Sequence, residues 1–514
     1  MIVLTSISGF LRYRILATFF TKEQLDLFFA AFKIPDLIFE VLITGALTTS
    51  FIPIYLSVKD NEDELKTTIS SIINLIFLAL TIFILILNLF LKPTIIFITP
   101  GFSTEKIEII TTFSRILLLG QLPFFILGNI LTGIGQANKM FFLSALAPVL
   151  YNLSIILITI FFHNQLGLYS PVYGVVIGSL ILFLIQTPII KYTQFKYLPI
   201  IKKTKAITDF FKIIIPRTLT VIIAQIDATI DLILSSLLQA GSYTIFYFAQ
   251  HLQLLPVSVI GIALGQASLP YLTDLYKEKK ITEFKNIVTQ SILNVFFIII
   301  PVSFFFIFAR TPLIRLFFGG QKFDWQATVD TAKTLSFFAL GLPFHSIYYL
   351  LTRCFYAMID SKTPFIIGLF SILINTLLSL IFIFYLKLPV WSLAISFSIS
   401  ITINTFLLFF NLSKKLNNFD FKHVFFSTIK IFFSTLISGI IAYFSMKLLD
   451  GLIFNTSFSI NVFFLISITF LIFVLLYLFI SWILNVKEIY LLTKILIKAR
   501  EYQRKIVELY NQYE

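Results

Sequence analysis

Along its whole length the chain alternates long apolar runs with short polar breaks. Fourteen runs of mostly apolar residues lie near 2–20, 27–56, 69–91, 112–135, 140–162, 170–190, 213–238, 244–273, 291–309, 332–359, 364–386, 389–411, 425–449 and 460–484. At a helical rise of about 1.5 Å per residue, about 20 such residues cross a hydrocarbon core roughly 30 Å thick. The pattern therefore predicts an all-α polytopic membrane protein with about 14 transmembrane helices.

The polar breaks carry an orientation signal, because basic loops are retained on the cytoplasmic side. With the N-terminus inside, the inner loops and tail hold 23 Lys and Arg and the outer loops eight; the remaining eight of the 39 sit in or at the edges of spans. Both termini are expected in the cytoplasm. Composition agrees: 58% of residues are apolar, 12% are charged, and 62 of 514 are phenylalanine, with a mean hydropathy of +0.96. The formal net charge of +14 is then mostly a topology signal that also favours anionic inner-leaflet lipid. No nucleic-acid partner is needed to explain it.

Several chemistries find no support. Cys354 is the only cysteine, so an intramolecular disulfide is impossible. No histidine has a metal-ligand partner at close spacing, and no Walker loop, nucleophile elbow or soluble catalytic domain is present. The chain is expected to be neither an enzyme nor a holder of any cofactor, and the first apolar stretch lacks the basic leader and cleavage site of a signal peptide.

A repeat runs through the chain. The segment "ALTTSFIP" (46–53) aligns with "ALGQASLP" (263–270) at an offset of 217, "LPF" (122–124) with "LPF" (342–344) at 220, and Asn152 with Asn375 at 223. The offset equals six spans, so both copies keep the same orientation. This predicts two parallel six-helix repeats around an axis normal to the membrane, with the substrate path between them. The expected layout is an N-terminal lobe (1–190), a basic cytoplasmic linker (191–212), a C-terminal lobe (213–412), two extra helices (413–485) and a basic cytoplasmic tail helix (486–514).

Charges inside a bilayer cost roughly 3 kcal/mol or more, so each must face protein or water. Counted from the outer ends of their spans, Arg12, Lys33 and His251 lie about 9 to 12 Å deep, and the repeat places their spans around the central axis. They are candidate ligands of a phosphate or diphosphate. Arg12 and Arg14 are roughly 200° apart around a helix, so at most one faces the cavity. The competing readings pair Arg12 with Glu40, Arg14 with Asp26 and Lys33 with Asp36, and make His251 a satisfied core histidine. Asp227 and Asp231 share one face of their helix. Asp231 with Asn375 is a candidate site for a coupling cation such as Na+, the membrane potential being the other candidate driving force; pairing with a basic neighbour such as Arg353 is the alternative.

The stretches "FFAAFKIPDLIFEVLITGALTTSFIP" (28–53), "ITPGF" (98–102), "ALAPVLYNLSII" (145–156), "IGIALGQASLP" (260–270) and "RCFYAMIDSKTP" (353–364) resemble the MurJ/MviN family. These are lipid II flippases of the multidrug/oligosaccharidyl-lipid/polysaccharide exporter superfamily. The resemblance covers roughly residues 5–412. It implies transport of the undecaprenyl-diphosphate-linked peptidoglycan precursor from the inner to the outer leaflet of the bacterial cell membrane, and hence a part in cell-wall synthesis and cell shape. It also implies a cationic cavity for the diphosphate and sugars, and a groove for the polyprenyl tail formed with spans 13 and 14. The family's arginine after "GF" falls on Arg12 and its aspartate at the start of span 2 on Asp26, which completes the set of candidate substrate-binding residues as Arg12, Asp26, Lys33 and His251. Three further family arginines fall on Ser6, Phe39 and His251, where Lys33 and a protonated His251 are the cations left to compensate. Span 1 begins about ten residues later than the family pattern. The leading expectation is a monomeric flippase for lipid II or another polyprenyl-diphosphate-linked saccharide. An ion-coupled small-molecule exporter of the same fold is the alternative, and a non-transporting scaffold is a third.

Overall fold

The computed structural model describes residues 2–41, 51–193, 195–202, 204–416, 421–455 and 458–490. Every element among them is helical. In chain order these are α1 Ile2–Phe19, α2 Lys22–Phe39, α3 Ile52–Val58, α4 Glu62–Ile98, α5 Thr104–Ile116, α6 Leu122–Ala137, α7 Phe141–Leu166, α8 Tyr169–Leu184, α9 Pro188–Thr193 and α10 Lys205–Ser236. There follow α11 Ser242–Pro256, α12 Ala263–Lys277, α13 Ile281–Phe308, α14 Arg310–Phe318, α15 Trp325–Ala357, α16 Lys362–Leu380, α17 Trp391–Lys415, α18 Phe421–Leu452 and α19 Ser459–Ile483. Among the described residues, eleven helical stretches are long and apolar enough to cross a membrane, which with the all-helical architecture makes this a multi-pass membrane protein. The fourteen expected spans are thus matched in kind and not in number. The other three are represented by α1, α2 and α10. Residues 46–50 of the repeat and the tail helix beyond residue 490 lie outside the described residues.

Local chemistry sets the breaks. Thr21 starts α2 with a reciprocal cap: the Gln24 N–H donates to its hydroxyl at 3.4 Å, and its own N–H donates to Gln24 Oε1 at 3.1 Å. Asn61 caps α4 by accepting from the Glu64 N–H at 3.2 Å, and the acids of that first turn complement the helix dipole. Pro123 has no N–H to give the Leu119 carbonyl, and just before it the chain widens into a π turn, Leu117–Gln121, where Leu122 N–H reaches back five residues to Leu117.

The helices fall into two compact units. The first comprises Met1–Tyr247 with Phe317–Asp330 and Leu380–Val390. In it α7 packs along α8, α1 on α7 and α2 on α5. Polar side chains stitch these pairs in the low dielectric: Asn152 Nδ2 donates to Ser8 Oγ at 3.1 Å and Ser114 Oγ to the Ala31 carbonyl at 2.9 Å. The "ITPGF" loop touches the end of α10 so closely that a Cβ on Gly101 would stand 1.9 Å from the Ser236 carbonyl oxygen.

The second unit comprises Phe248–Leu316, Thr331–Ser379 and Trp391–Glu514. Here α13, α18 and α19 pack together around Phe297, Ile300, Ile431 and Tyr477, and the Tyr477 hydroxyl donates to the Phe297 carbonyl at 2.8 Å. Hydroxyls again tie neighbours, Ser398 to the Phe337 carbonyl at 2.6 Å and Thr405 to that of Phe344 at 2.9 Å. Between α15 and α16 the "IDSKTP" stretch folds back on itself. Asp360 accepts from the Thr363 N–H at 3.0 Å and hydroxyl at 2.6 Å, and pairs with Lys415 at the end of α17.

Burial pushes the Asp360 carboxyl up, but the hydrogen bonds from Lys415 and Thr363 prevail and bring it down to about 2. A carboxyl lowered on folding stabilises above its unfolded value of about 3.9, and that contribution fades as pH falls towards 2. Asp360→Asn is expected to cost about 1 kcal/mol at pH 7. Melting curves of the two proteins between pH 7 and pH 2.5 check this: the gap in Tm narrows below about pH 4.

Candidate functional site

Within the first unit, α2 carries Asp26, Lys33, Asp36 and Glu40 at spacings of seven, three and four residues, which places them on one stripe of the helix. Asp26 is only 2% exposed. Its Oδ2 accepts from the Gly241 N–H at 2.6 Å, and its Oδ1 from the Thr244 N–H at 2.7 Å and hydroxyl at 2.8 Å. These amides stand at the start of α11, where the first N–H groups of a helix have no partner within it. The carboxylate therefore caps α11 from outside and meets the positive end of its dipole. Gly241 adopts φ +90°, and a Cβ there would meet the Lys22 stem at 2.4 Å. Both carboxylate oxygens of Asp26, a candidate substrate ligand by sequence, are engaged in positioning a helix.

Arg12 lies on α1 among aromatic rings. Its guanidinium sits 4.6 Å over the Tyr13 ring, Tyr13 packs edge-on against Phe29 and Tyr247, and Phe29 stacks on Tyr247 at 4.2 Å. The Tyr13 and Tyr247 hydroxyls are 3.3 Å apart. The Arg12 side chain is half-buried, and its Nε is enclosed with no hydrogen-bond partner among the described residues. Such a donor costs roughly 1–3 kcal/mol until an acceptor arrives.

One helical face further along, Lys33 is buried and donates to Gln225 Oε1 on α10 at 3.4 Å. Asp36, Asp231 and Asp227 all act on its charge. Asp36 in turn feels Lys33, Glu40 and Arg12, yet its surface is exposed. Asp36 thus interacts electrostatically with both Arg12 and Lys33. Among the described residues, the carboxylates that act on Lys33 are Asp36, Asp227 and Asp231. Lys33 is a basic neighbour of Asp231, and in the second unit the Arg353 guanidinium sits over the Tyr356 ring.

His251 and Asn375 belong to the second unit, so two of the sequence-derived groups, Arg12 with His251 and Asp231 with Asn375, are divided between the units. His251 on α11 is half-buried and Asn375 on α16 is buried. A further histidine of this unit, His345, is buried, 3.0 Å from Gln253 Nε2, and stacked on Tyr349. Nothing in its sequence neighbourhood marks it. Asp36, Tyr247 and Gln225 were not singled out as site residues either; only the Lys33–Asp36 spacing pointed to one of them.

The chain matches the profile of the family described as "Lipid II flippase MurJ" over residues 15–463. The chain belongs to the MurJ family. Among MurJ relatives, the "Probable lipid II flippase MurJ" of Rickettsia prowazekii is 30% identical over 389 residues, covering 74% of this chain and 76% of the relative. The "Lipid II flippase MurJ" of Burkholderia cenocepacia is 25% identical over 425 residues, covering 80% and 82%. A solved structure titled "Lipid II flippase MurJ, inward closed conformation" superposes with a TM-score of 0.76 at 28% identity, covering 93% of this chain and 96% of that one. A solved structure titled as the inward-facing conformation of a multidrug resistance MATE family transporter of the MOP superfamily aligns with a TM-score of 0.69 at 14% identity, covering 80% of this chain and 94% of that one, a likeness of fold alone.

The Asp26 cap of this MurJ chain gives a direct expectation. Asp26→Ala leaves the Gly241 and Thr244 N–H groups without acceptors and is expected to lower stability by about 2 kcal/mol. Asp26→Asn, which keeps one acceptor oxygen, is expected to lose less. Thermal unfolding of the purified proteins orders the three as wild type, Asn, Ala.

Proposed function

We propose that the chain carries lipid II from the inner to the outer leaflet of the bacterial cell membrane by alternating access, with no covalent change to the substrate. The observation that carries this reading is membership of the lipid II flippase family over residues 15–463. Arg12 supplies the chemistry that an undecaprenyl diphosphate needs. Its guanidinium is held by aromatic packing, its Nε is unengaged among the described residues, and a planar donor fork suits phosphate oxygens. Lys33 and His251 are assigned as the accompanying cations, Lys33 balanced by Asp36 until the anion enters. The basic loops set both termini in the cytoplasm, and the protein acts as a monomer.

The carboxylates around Lys33 favour a coupled cycle. We assign Asp231, beside Asp227, as the group that answers to Na+ or to the membrane potential, with Asn375 as its partner in the cation-bound state. Transport of lipid II in vesicles is expected to depend on Na+ or on an imposed potential in the wild type, and Asp231→Asn to remove that dependence.

Complementation tests the substrate. In a host depleted of its own lipid II flippase, the chain is expected to restore growth. Arg12→Ala at matched membrane level is expected to fail, with transport in vesicles reduced about tenfold or more. Rescue by both would demote Arg12 to a structural role. Failure of the well-expressed parent would overturn lipid II in favour of another polyprenyl-linked saccharide.

A further inference from the structure

The end of α18 that carries Lys422 and the end of α19 that carries Trp482 flank a cavity of about 200 Å³. His423, Ser427 and Lys430 line it at helical spacing from one face of α18, with Phe426 beside them; Asn485, Lys487 and Glu488 line it from the turn after α19. That turn is a built wall. Asn485 takes the left-handed conformation at φ +52°, Val486 N–H donates to the Ser481 carbonyl at 2.9 Å, and the Val486 side chain is 3% exposed among Phe297, Ile300, Ile431 and Tyr477.

Lys430 lies about 12 Å along the apolar span that begins at Lys422. Its side chain is exposed and lines this cavity together with Ser427. Lys430 and Lys487 against Glu488 leave one net positive charge, before any proton on His423. A phosphodiester carries one negative charge and matches this; inorganic phosphate, nearer −1.5 to −2 at neutral pH, is disfavoured by Glu488. The rim is apolar and open, with Phe426, Trp482 and Ile483 all exposed, as suits acyl chains and an interfacial tryptophan.

We propose that this cavity binds the phosphate of an anionic phospholipid, with Lys430 and Lys487 pairing its oxygens, Ser427 donating to it and Phe426 and Trp482 flanking its chains. The assignment of that lipid to the inner leaflet rests on the orientation proposed above; the site itself does not.

The test uses the purified full chain titrated with phosphatidylglycerol, phosphatidylcholine or inorganic phosphate. Retained lipid is counted by native mass spectrometry and stabilisation followed by Tm. Phosphatidylglycerol is expected to bind saturably and to raise Tm. The double variant Lys430→Gln/Lys487→Gln is expected to bind it about tenfold more weakly or worse, while the charge-matched Lys277→Gln/Lys414→Gln binds as the wild type does. Lys487→Gln alone, in the turn outside the span, gives the same direction should the double variant fold poorly. Equal losses in both double variants, no loss in either, equal binding of phosphatidylcholine, or displacement by millimolar inorganic phosphate would each overturn the proposal.

Discussion

The carboxylate of Asp26 ties the first turns of α2 to the start of a helix 215 residues further along the chain. It meets two amides that would otherwise stand unsatisfied, and a hydroxyl that it shares with the Lys22 carbonyl. The same contact fixes the rotation of α2. Lys33, Asp36 and Glu40 follow Asp26 along one stripe, so where Asp26 points decides which way the charged stripe faces. Thr244 reinforces this by donating from its hydroxyl to the Lys22 carbonyl as well, at 2.9 Å.

Charge inside the first unit is arranged by difference. Lys33 has carboxylates on its own helix and on α10 and is largely neutralised by them. Arg12, one helix away, is surrounded by tyrosine and phenylalanine rings that accept its positive face without consuming all of its donors. Under the function proposed above, the anion meets its hydrogen-bond donor at Arg12, and the acids around Lys33 disfavour anions that do not engage that donor.

Much of this architecture was legible in the residues. Apolar runs of bilayer length predicted the helices because in lipid a backbone must satisfy its own hydrogen bonds, and length and composition are enough to say where. The Lys33–Asp36 pairing follows from three-residue spacing on a helix. The role of Asp26 did not follow, because its partners Gly241 and Thr244 are distant in sequence and offer backbone groups that carry no side-chain signature. For the same reason the nearness of Asp231 to Lys33 did not follow, because α2 and α10 are far apart in sequence and meet only in the fold. His345 was invisible because a buried histidine satisfied by a glutamine looks like any other residue of an apolar run.

Gly241 gives this capping contact a genetic dimension. Its backbone is in a region that residues with a side chain rarely adopt, and the space where a Cβ would go is filled by the stem of Lys22. Any base change at the first or second position of a glycine codon that still encodes an amino acid adds a side chain. Codon 241 is therefore a place where every missense change sets a side chain against the Lys22 stem, beside the amide that Asp26 caps.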